Sequence, residues 1–239
     1  MRKFTSKENF QLGERVSLSP EESNHALRVL RMQEGDSAIL LNGQGKLGYG
    51  KISAIQEGIV WLTIEKIDNV EARTPIFLLQ AILKGPKMDW LLEKATELGV
   101  NGIQPMITAR TIAKSEKIDR WQRIISAAMK QSGNPVEPKL YPTLSLSAAL
   151  DQHPNGLKVF LQPDSAAGLA QVIANHPSQA VVLAIGPEGG FTPEEENLFE
   201  KSGFLRAGLS LQVLRGETAA IAALSIAAHS IDFSAPKRV

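Results

Sequence analysis

VVLAIGPEGGFTPEEE, residues 181–196, runs from an apolar stretch through a Gly-rich turn straight into a helix start. An apolar run closed by a turn that a helix follows at once is the strand, loop and helix unit of an α/β sheet. Gly186, Gly189 and Gly190 allow φ > 0 and let a ligand come close to main-chain atoms. Thr192 suits an N-cap, Pro193 the first helical position, and Glu195 the carboxylate place of a capping box. A phosphate-binding loop here would end in Gly-Lys-Ser/Thr. This one has no Lys or Arg, and it puts Glu188 in the turn and Glu194, Glu195 and Glu196 on the helix start. Carboxylates there already answer the helix dipole, each by roughly 0.3–1 kcal/mol. Such a loop repels phosphate and suits a neutral or partly cationic ligand with ribose hydroxyls and an adenine ring. S-adenosylmethionine meets that description.

Outward from this loop, strand and helix signals alternate from Pro75 onward. Candidate strands are 76–83, 102–107, 157–162, 180–185 and 204–210. Between them, Met88, Leu91, Leu92, Ala95 and Leu98 form one apolar stripe at helical spacing, and Trp121, Ile124, Ile125, Ala128 and Met129 form another. The alternation predicts a mostly parallel sheet with ligands beyond the carboxyl ends of its strands. Residues 1 to about 70 read differently, as short strands (ERVSLS, DSAILLN, KLGYGKISAI, GIVWLTIEKI) broken by Gly-rich turns. They predict a small β-barrel interrupted by one helix, EESNHALRVLRM at 21–32, that starts near Ser19 or Pro20.

The 239 residues, 43% hydrophobic, are enough for a real core in one or two domains. Net charge is only +1, but its distribution is uneven. Residues 71–150 hold 11 basic and 7 acidic side chains, against 9 and 9 before them and 6 and 9 after. Excess basic charge in the middle third is where an anionic polymer would be met. The absence of cysteine removes disulfides, thiolate metal sites and a Cys nucleophile. His25, His153, His176 and His229 lack metal-ligand spacing, so no metal centre is expected. No signal peptide is visible and TAAIAALSIAAHSI, 218–231, is too short for a membrane span, so the expectation is a cytoplasmic protein.

A second loop, AGLSLQVLRGETAA at 207–220, follows the last candidate strand and precedes an Ala-rich helix that reads as buried on nearly all sides. Arg215 and Glu217 are its sharpest polar residues. Taken together, IGPEGGFTPEE and LSLQVLRGETAA resemble the paired cofactor motifs of the RsmE family, SPOUT-class methyltransferases of bacterial 16S ribosomal RNA. HALRVLRM, KGPKMDWLLEKATELGV and AAMKQSGN sit where that family carries similar segments, so the resemblance spans nearly the whole chain.

The resemblance implies a PUA-like RNA-binding barrel over 1–70. Over 74–239 it implies a SPOUT α/β domain for cofactor binding, catalysis and dimerisation, tied in a deep trefoil knot. It implies a homodimer that methylates N3 of a specific uridine in small-subunit 16S ribosomal RNA, with the assembled subunit as the expected partner. S-adenosyl-L-methionine would lie against Leu161, Gly186, Pro187, Glu188, Gly189, Gly190, Leu209, Ser210, Leu211, Leu214, Thr218 and Ala219. RNA contacts are expected at His25, Arg28, Arg31, Lys84, Lys87, Lys94 and Arg110, with Lys114 and Lys117 adding to that basic stretch. Four positions depart from the family pattern: Lys130 and Asn134 flank Gln-Ser-Gly where Glu and Arg are common, Ser210 replaces Gly, and Gly216 replaces Thr.

Methylating N3 of uridine requires an unpaired base and loss of the imide proton. A solvated carboxylate with pKa about 4 is a weak base for so poor an acid. Arg215 is therefore expected to stabilise the uridine anion through a carbonyl oxygen, with Glu217 orienting Arg215 or relaying the proton. Two other readings fit parts of the pattern: a methyltransferase of another RNA such as tRNA, and a non-catalytic RNA-binding ribosome assembly factor.

Overall fold

The computed structural model describes residues 1–6, 8–70, 74–112, 116–152, 155–209 and 212–234. The chain divides into two compact units, one of residues 1–72 with 126–137, the other of 73–125 with 138–239.

In the first unit, β1 (Arg2–Thr5), β2 (Arg15–Ser17), β3 (Ser37–Leu41), β4 (Lys46–Gln56) and β5 (Ile59–Asn69) form one sheet in the order β1-β3-β4-β5-β2. Only β1 and β3 run parallel. The expected barrel strands are present, and β1, which shows a single buried residue, Phe4, adds to them. Phe4, Phe10, Leu18, Leu40, Leu62 and Ile64 fill the core against one face of the sheet, as period-two alternation requires.

The helix expected over 21–32 is shorter. Ser19 caps α1 (Pro20–Asn24) by accepting from the Glu22 N–H at 3.2 Å. The chain then widens into a π-helical turn, His25–Val29, closed by the Leu30 N–H on His25 O at 3.0 Å. Arg31 ends it at φ +53°, a left-handed conformation that costs a non-glycine residue about 1–3 kcal/mol. Apolar spacing cannot separate an i+4 from an i+5 bond, so this break left no trace in the periodicity. Two of the family departures also find roles here. Lys130 Nζ pairs with the buried Glu22 at 3.0 Å, and Asn134 Oδ1 accepts from the Val136 N–H at 3.1 Å.

Among the described residues the second unit carries a seven-stranded sheet with all pairings parallel. Its long strands are β6 (Ile76–Ala81), β7 (Gly102–Ile107), β10 (Leu157–Leu161), β11 (Val181–Ile185) and β12 (Leu205–Ala207), joined by two-residue β8 (Lys139–Leu140) and β9 (Leu144–Ser145). Their order is β12-β10-β11-β6-β7-β8, with β9 also on β7. The helices are α2 (Lys87–Glu97), α3 (Ile118–Ser132), which ends among the residues grouped with the first unit, α4 (Leu146–Leu150), α5 (Leu169–Asn175), α6 (Pro193–Lys201) and α7 (Gly216–Ser234).

A parallel sheet needs cover on both faces, and successive strand residues supply two cores. Leu78, Val159, Leu183 and Ile185 meet α2, α5 and α7 on one side. Leu79, Phe160, Val182 and Ala184 meet α4 and α6 on the other. There Phe199 stacks on Phe160 at 5.0 Å and meets Phe191 and Phe204 edge-on at 4.7 and 5.1 Å. The stripe on α2 is buried as expected, through Met88, Leu91, Leu92 and Ala95. Helix α7 departs from expectation: over residues 216–231 burial is confined to Gly216, Ala220, Ala223, Leu224 and Ala227, one face at helical spacing, while Ile221 and Ala222 stay half-covered. Alanine content alone does not say how many sides of a helix have neighbours. Among the described residues, no helix is long and apolar enough to cross a membrane.

Candidate active site

The carboxyl ends of β10, β11 and β12 open into one pocket. Leu161, Gln162 and Pro163 line it after β10, and Ile185, Gly186, Pro187, Glu188, Gly190 and Phe191 line it after β11. Leu209, Gln212, Val213, Leu214, Gly216 and Ala219 complete it after β12. The strand order changes direction between β10, β11 and β6, the switch point where open α/β sheets bind ligands.

Local sequence shapes the first wall. Gly190 takes φ +69° and its N–H closes the turn on Pro187 O at 2.9 Å. The capping box forms as read: Thr192 Oγ1 accepts from the Glu195 N–H at 3.3 Å, and Glu195 Oε2 accepts from the Thr192 N–H at 2.9 Å. Hydrogen bonds from its own N–H and from the Thr192 hydroxyl hold the Glu194 carboxyl below its ordinary value. The loop after β7 locks this wall from outside. Ala109 N–H donates to Glu195 Oε1 at 2.7 Å, and Arg110 NH1 donates to Gly189 O at 2.7 Å and Phe191 O at 3.1 Å. Arg110 thus grips the loop through NH1.

The second wall presses on the first. A Cβ at Gly216 would meet Leu83 Cδ2 at 2.9 Å and Gly186 O at 3.3 Å, so the departure to glycine at 216 matches a close backbone approach. Gly186 O is also reached from below by the buried Gln80, whose Nε2 lies 3.5 Å away.

Three charges meet where the walls join. Lys87 Nζ donates to Glu188 Oε1 at 3.0 Å and lies 3.9 Å from Glu217 Oε2. Lys84 N–H also donates to Glu188 Oε1, at 3.3 Å. Burial pushes the Glu188 carboxyl up, but the Lys87 bond and the backbone donors outweigh it and hold the group below its ordinary 4.5. Glu217 Oε2 is buried and accepts no hydrogen bond. Arg215 is exposed, and its carbonyl accepts from the Ala219 N–H at 2.8 Å.

Of the residues expected at the cofactor, Leu161, Gly186, Pro187, Glu188, Gly190, Leu209, Leu214 and Ala219 line the pocket. Gly189 sits behind the wall under Arg110, Thr218 points to solvent, and Ser210 and Leu211 lie outside the described residues. The structure adds Gln162, Pro163, Ile185, Phe191, Gln212, Val213 and Gly216. For Gln162, Pro163 and Ile185 the available signal was position, since they end or directly follow a strand that reaches the pocket, whereas Phe191, Gln212 and Val213 stand farther along the loops. Gln162 is held by a hydrogen bond to Glu196, which also pairs with Arg206 at 2.7 Å.

The residues expected on RNA divide. Arg28 and Arg31 are exposed and His25 is half-buried, all in the first unit. In the second, Lys84 is exposed, Lys94 is paired with Glu93 and Glu97 at 2.8 Å each, and Lys87 and Arg110 are engaged at the pocket walls. Lys114 lies outside the described residues.

Residues 70–228 match the family model of an RNA methyltransferase domain, and residues 18–65 that of an RNA methyltransferase PUA domain. A ribosomal RNA small subunit methyltransferase E from Synechocystis is 32% identical over 88% of this chain and 71% of its own. The same-named enzyme from Neisseria gonorrhoeae, solved bound to S-adenosyl methionine, superposes with a TM-score of 0.87 at 34% identity, covering 94% of this chain and 95% of that one. A putative methyltransferase from Legionella pneumophila, solved with bound cofactor SAM, gives 0.84 at 34%, covering 95% and 97%. The chain belongs to the RNA methyltransferase family in which the ribosomal RNA small subunit methyltransferases E are found.

Proposed function

We propose that the protein transfers a methyl group from S-adenosylmethionine to N3 of a uridine in the 16S ribosomal RNA of the small subunit. The observation that carries this reading is the pocket at the ends of β10, β11 and β12, whose second wall runs straight into Arg215 and Glu217. The residues present fit such a cofactor. Leu161, Leu209 and Leu214 offer an apolar slot for adenine, and bare backbone at Gly186 and Gly190 admits a close ligand. The acidic Glu188 on the rim suits hydroxyls and a cation better than a phosphate.

When bound, S-adenosylmethionine supplies an electrophilic methyl on a sulfonium, which leaves as a neutral thioether. The protein holds N3 in line with that methyl. Arg215 directs its guanidinium to a uracil carbonyl oxygen, where negative charge grows as the imide proton departs. Glu217 takes that proton. Its Oε2 faces Lys87 rather than Arg215, which favours the relay role over orienting Arg215.

On this reading residues 1–70 bind RNA, and 74–239 bind the cofactor, catalyse and dimerise. His25, Arg28, Arg31 and Lys84 meet phosphates or loop bases, which makes RNA binding strongly salt-dependent. A cytoplasmic homodimer acting on the assembled subunit completes the proposal, supported by the half-covered Ile221 and Ala222 on α7. A knotted chain around the pocket belongs to the same reading, as the family resemblance implies.

The test is mass mapping of ribosomal RNA nucleosides from a strain lacking the protein. N3-methyluridine should vanish from the small-subunit RNA and return with the intact gene. An unchanged level overturns the reading. Calorimetry with S-adenosylmethionine separates it from a pure binding module, which gives no saturable heat.

A further inference from the structure

Lys87 was expected on RNA because it belongs to a basic cluster, but its ammonium is turned between two carboxylates of the pocket walls. Its side chain is 32% exposed, against 13% for Glu217. Glu217 Oε2 has no donor of its own, and a buried carboxylate oxygen in that state is unfavourable unless a counter-charge stands near it. At 3.9 Å the ammonium supplies that charge without occupying the lone pair. Oε2 is itself closed to solvent, so a donor from outside the protein meets the other carboxylate oxygen. The ammonium is itself fixed by Glu188, whose Oε1 also takes the Lys84 backbone N–H.

We infer that Lys87 is a positioning residue for methyl transfer: anchored by Glu188, it holds Oε2 of the Glu217 carboxylate inward and so sets the other oxygen, Oε1, to receive the proton of uridine N3. The inference rests on the proposed methylation. In that step the N3–H bond breaks and its proton passes to Glu217 Oε1. The electron pair left on N3 forms the new N–C bond, the pair of the broken C–S bond stays on sulfur, and the proton leaves Glu217 for water. Lys87 makes no contact with the reacting atoms and acts through Glu217.

A double-mutant cycle with Lys87→Met and Glu217→Gln tests this, read as single-turnover methylation at saturating cofactor and RNA. Lys87→Met should slow the step about tenfold or more in the wild-type background but less than about twofold on top of Glu217→Gln. Lys87→Arg should restore most of the rate, and the KM for RNA and its salt slope should stay unchanged. A crystal structure of Lys87→Met should show the Glu217 carboxylate moved from its buried place. Equal losses in both backgrounds overturn the inference, as does a defect confined to the RNA KM with a shallower salt slope, which marks a phosphate contact. An unmoved Glu217 also overturns it, and so does a Lys87→Met protein that gives no saturable heat with S-adenosylmethionine, since Lys87 would then support the pocket as a whole. If the wild-type protein makes no N3-methyluridine, the functional reading fails and takes this inference with it.

Discussion

Glu217 Oε2 lies 3.9 Å from Lys87 Nζ and accepts no hydrogen bond, although Arg215 stands only two residues before it. The charges of the second wall are therefore segregated. The carboxylate turns inward to the ammonium of α2, and the guanidinium stays exposed with no partner among the described residues. An inward acceptor and an outward cation give the wall two separate tools, one for a proton and one for a developing oxyanion.

Separate tools predict separable losses. Arg215→Ala should lower single-turnover methylation roughly 100- to 1000-fold, the usual effect of removing one donor at a developing charge. Glu217→Gln should lower it roughly 100- to 10,000-fold, as expected for a proton acceptor. Both should bind S-adenosylmethionine within a few-fold of wild type in calorimetry. Normal single-turnover rates for Arg215→Ala at saturating cofactor would remove Arg215 from the mechanism.

Arg110 tests the first wall. Its NH1 joins Gly189 O and Phe191 O from a position that is otherwise exposed, and a charged hydrogen bond to a carbonyl contributes roughly 1.5–3 kcal/mol. Exposure puts the effect at the low end, so Arg110→Ala should weaken cofactor affinity about tenfold by calorimetry. Unchanged cofactor affinity together with weakened RNA binding would return Arg110 to the RNA surface.

Much of this site was legible because its signals are local. The GPEGG turn, the Thr192 cap and the Glu195 box all operate within a few residues; the cap and the box form as read, and of the three glycines in the turn Gly190 takes the positive φ. The strands that carry the pocket were equally visible as apolar runs, whereas β8 and β9, two residues each, had no periodicity to show. The intramolecular contacts of Lys87 and Arg110 stayed hidden for a different reason. Their partners stand 101 and 79 residues away along the chain, and nothing in a basic cluster says which cation a distant carboxylate or carbonyl will claim. The π-helical turn at His25–Val29 escaped because one extra residue per turn leaves the apolar spacing nearly intact.

The Glu188–Lys87 pair sets a pH limit on the pocket. A carboxyl held below its ordinary 4.5 in the folded protein contributes stability that is fully present above that value. The contribution fades as pH falls through the lower folded value. Glu188 stays ionised from neutral pH to below 4.5, so cofactor affinity should stay flat over that range and weaken only as this carboxyl takes up its proton. Lys87→Met removes one of the lowering contacts, so the weakening should begin at a higher pH. The carboxyl titration of Glu188, followed by NMR in both proteins, checks the direction, and a downward move on losing Lys87 contradicts the assignment.

Gly190 shows the backbone requirement in its purest form. A Cβ there would meet nothing within 4 Å, yet φ is +69°. Crowding is absent, and only the left-handed backbone resists a side chain. Gly190→Ala should thus destabilise the protein by about 1–2 kcal/mol, with a smaller loss for Gly190→Asn, whose side chain tolerates this region better. Chemical denaturation of the three proteins measures the order. Because Gly190 N–H also closes the turn on Pro187 O at 2.9 Å, a flip of this residue opens the first wall. The alanine variant should lose cofactor affinity beyond its loss of stability. Equal stability and affinity for Ala and Gly at 190 would mean that the loop has a second conformation of similar energy.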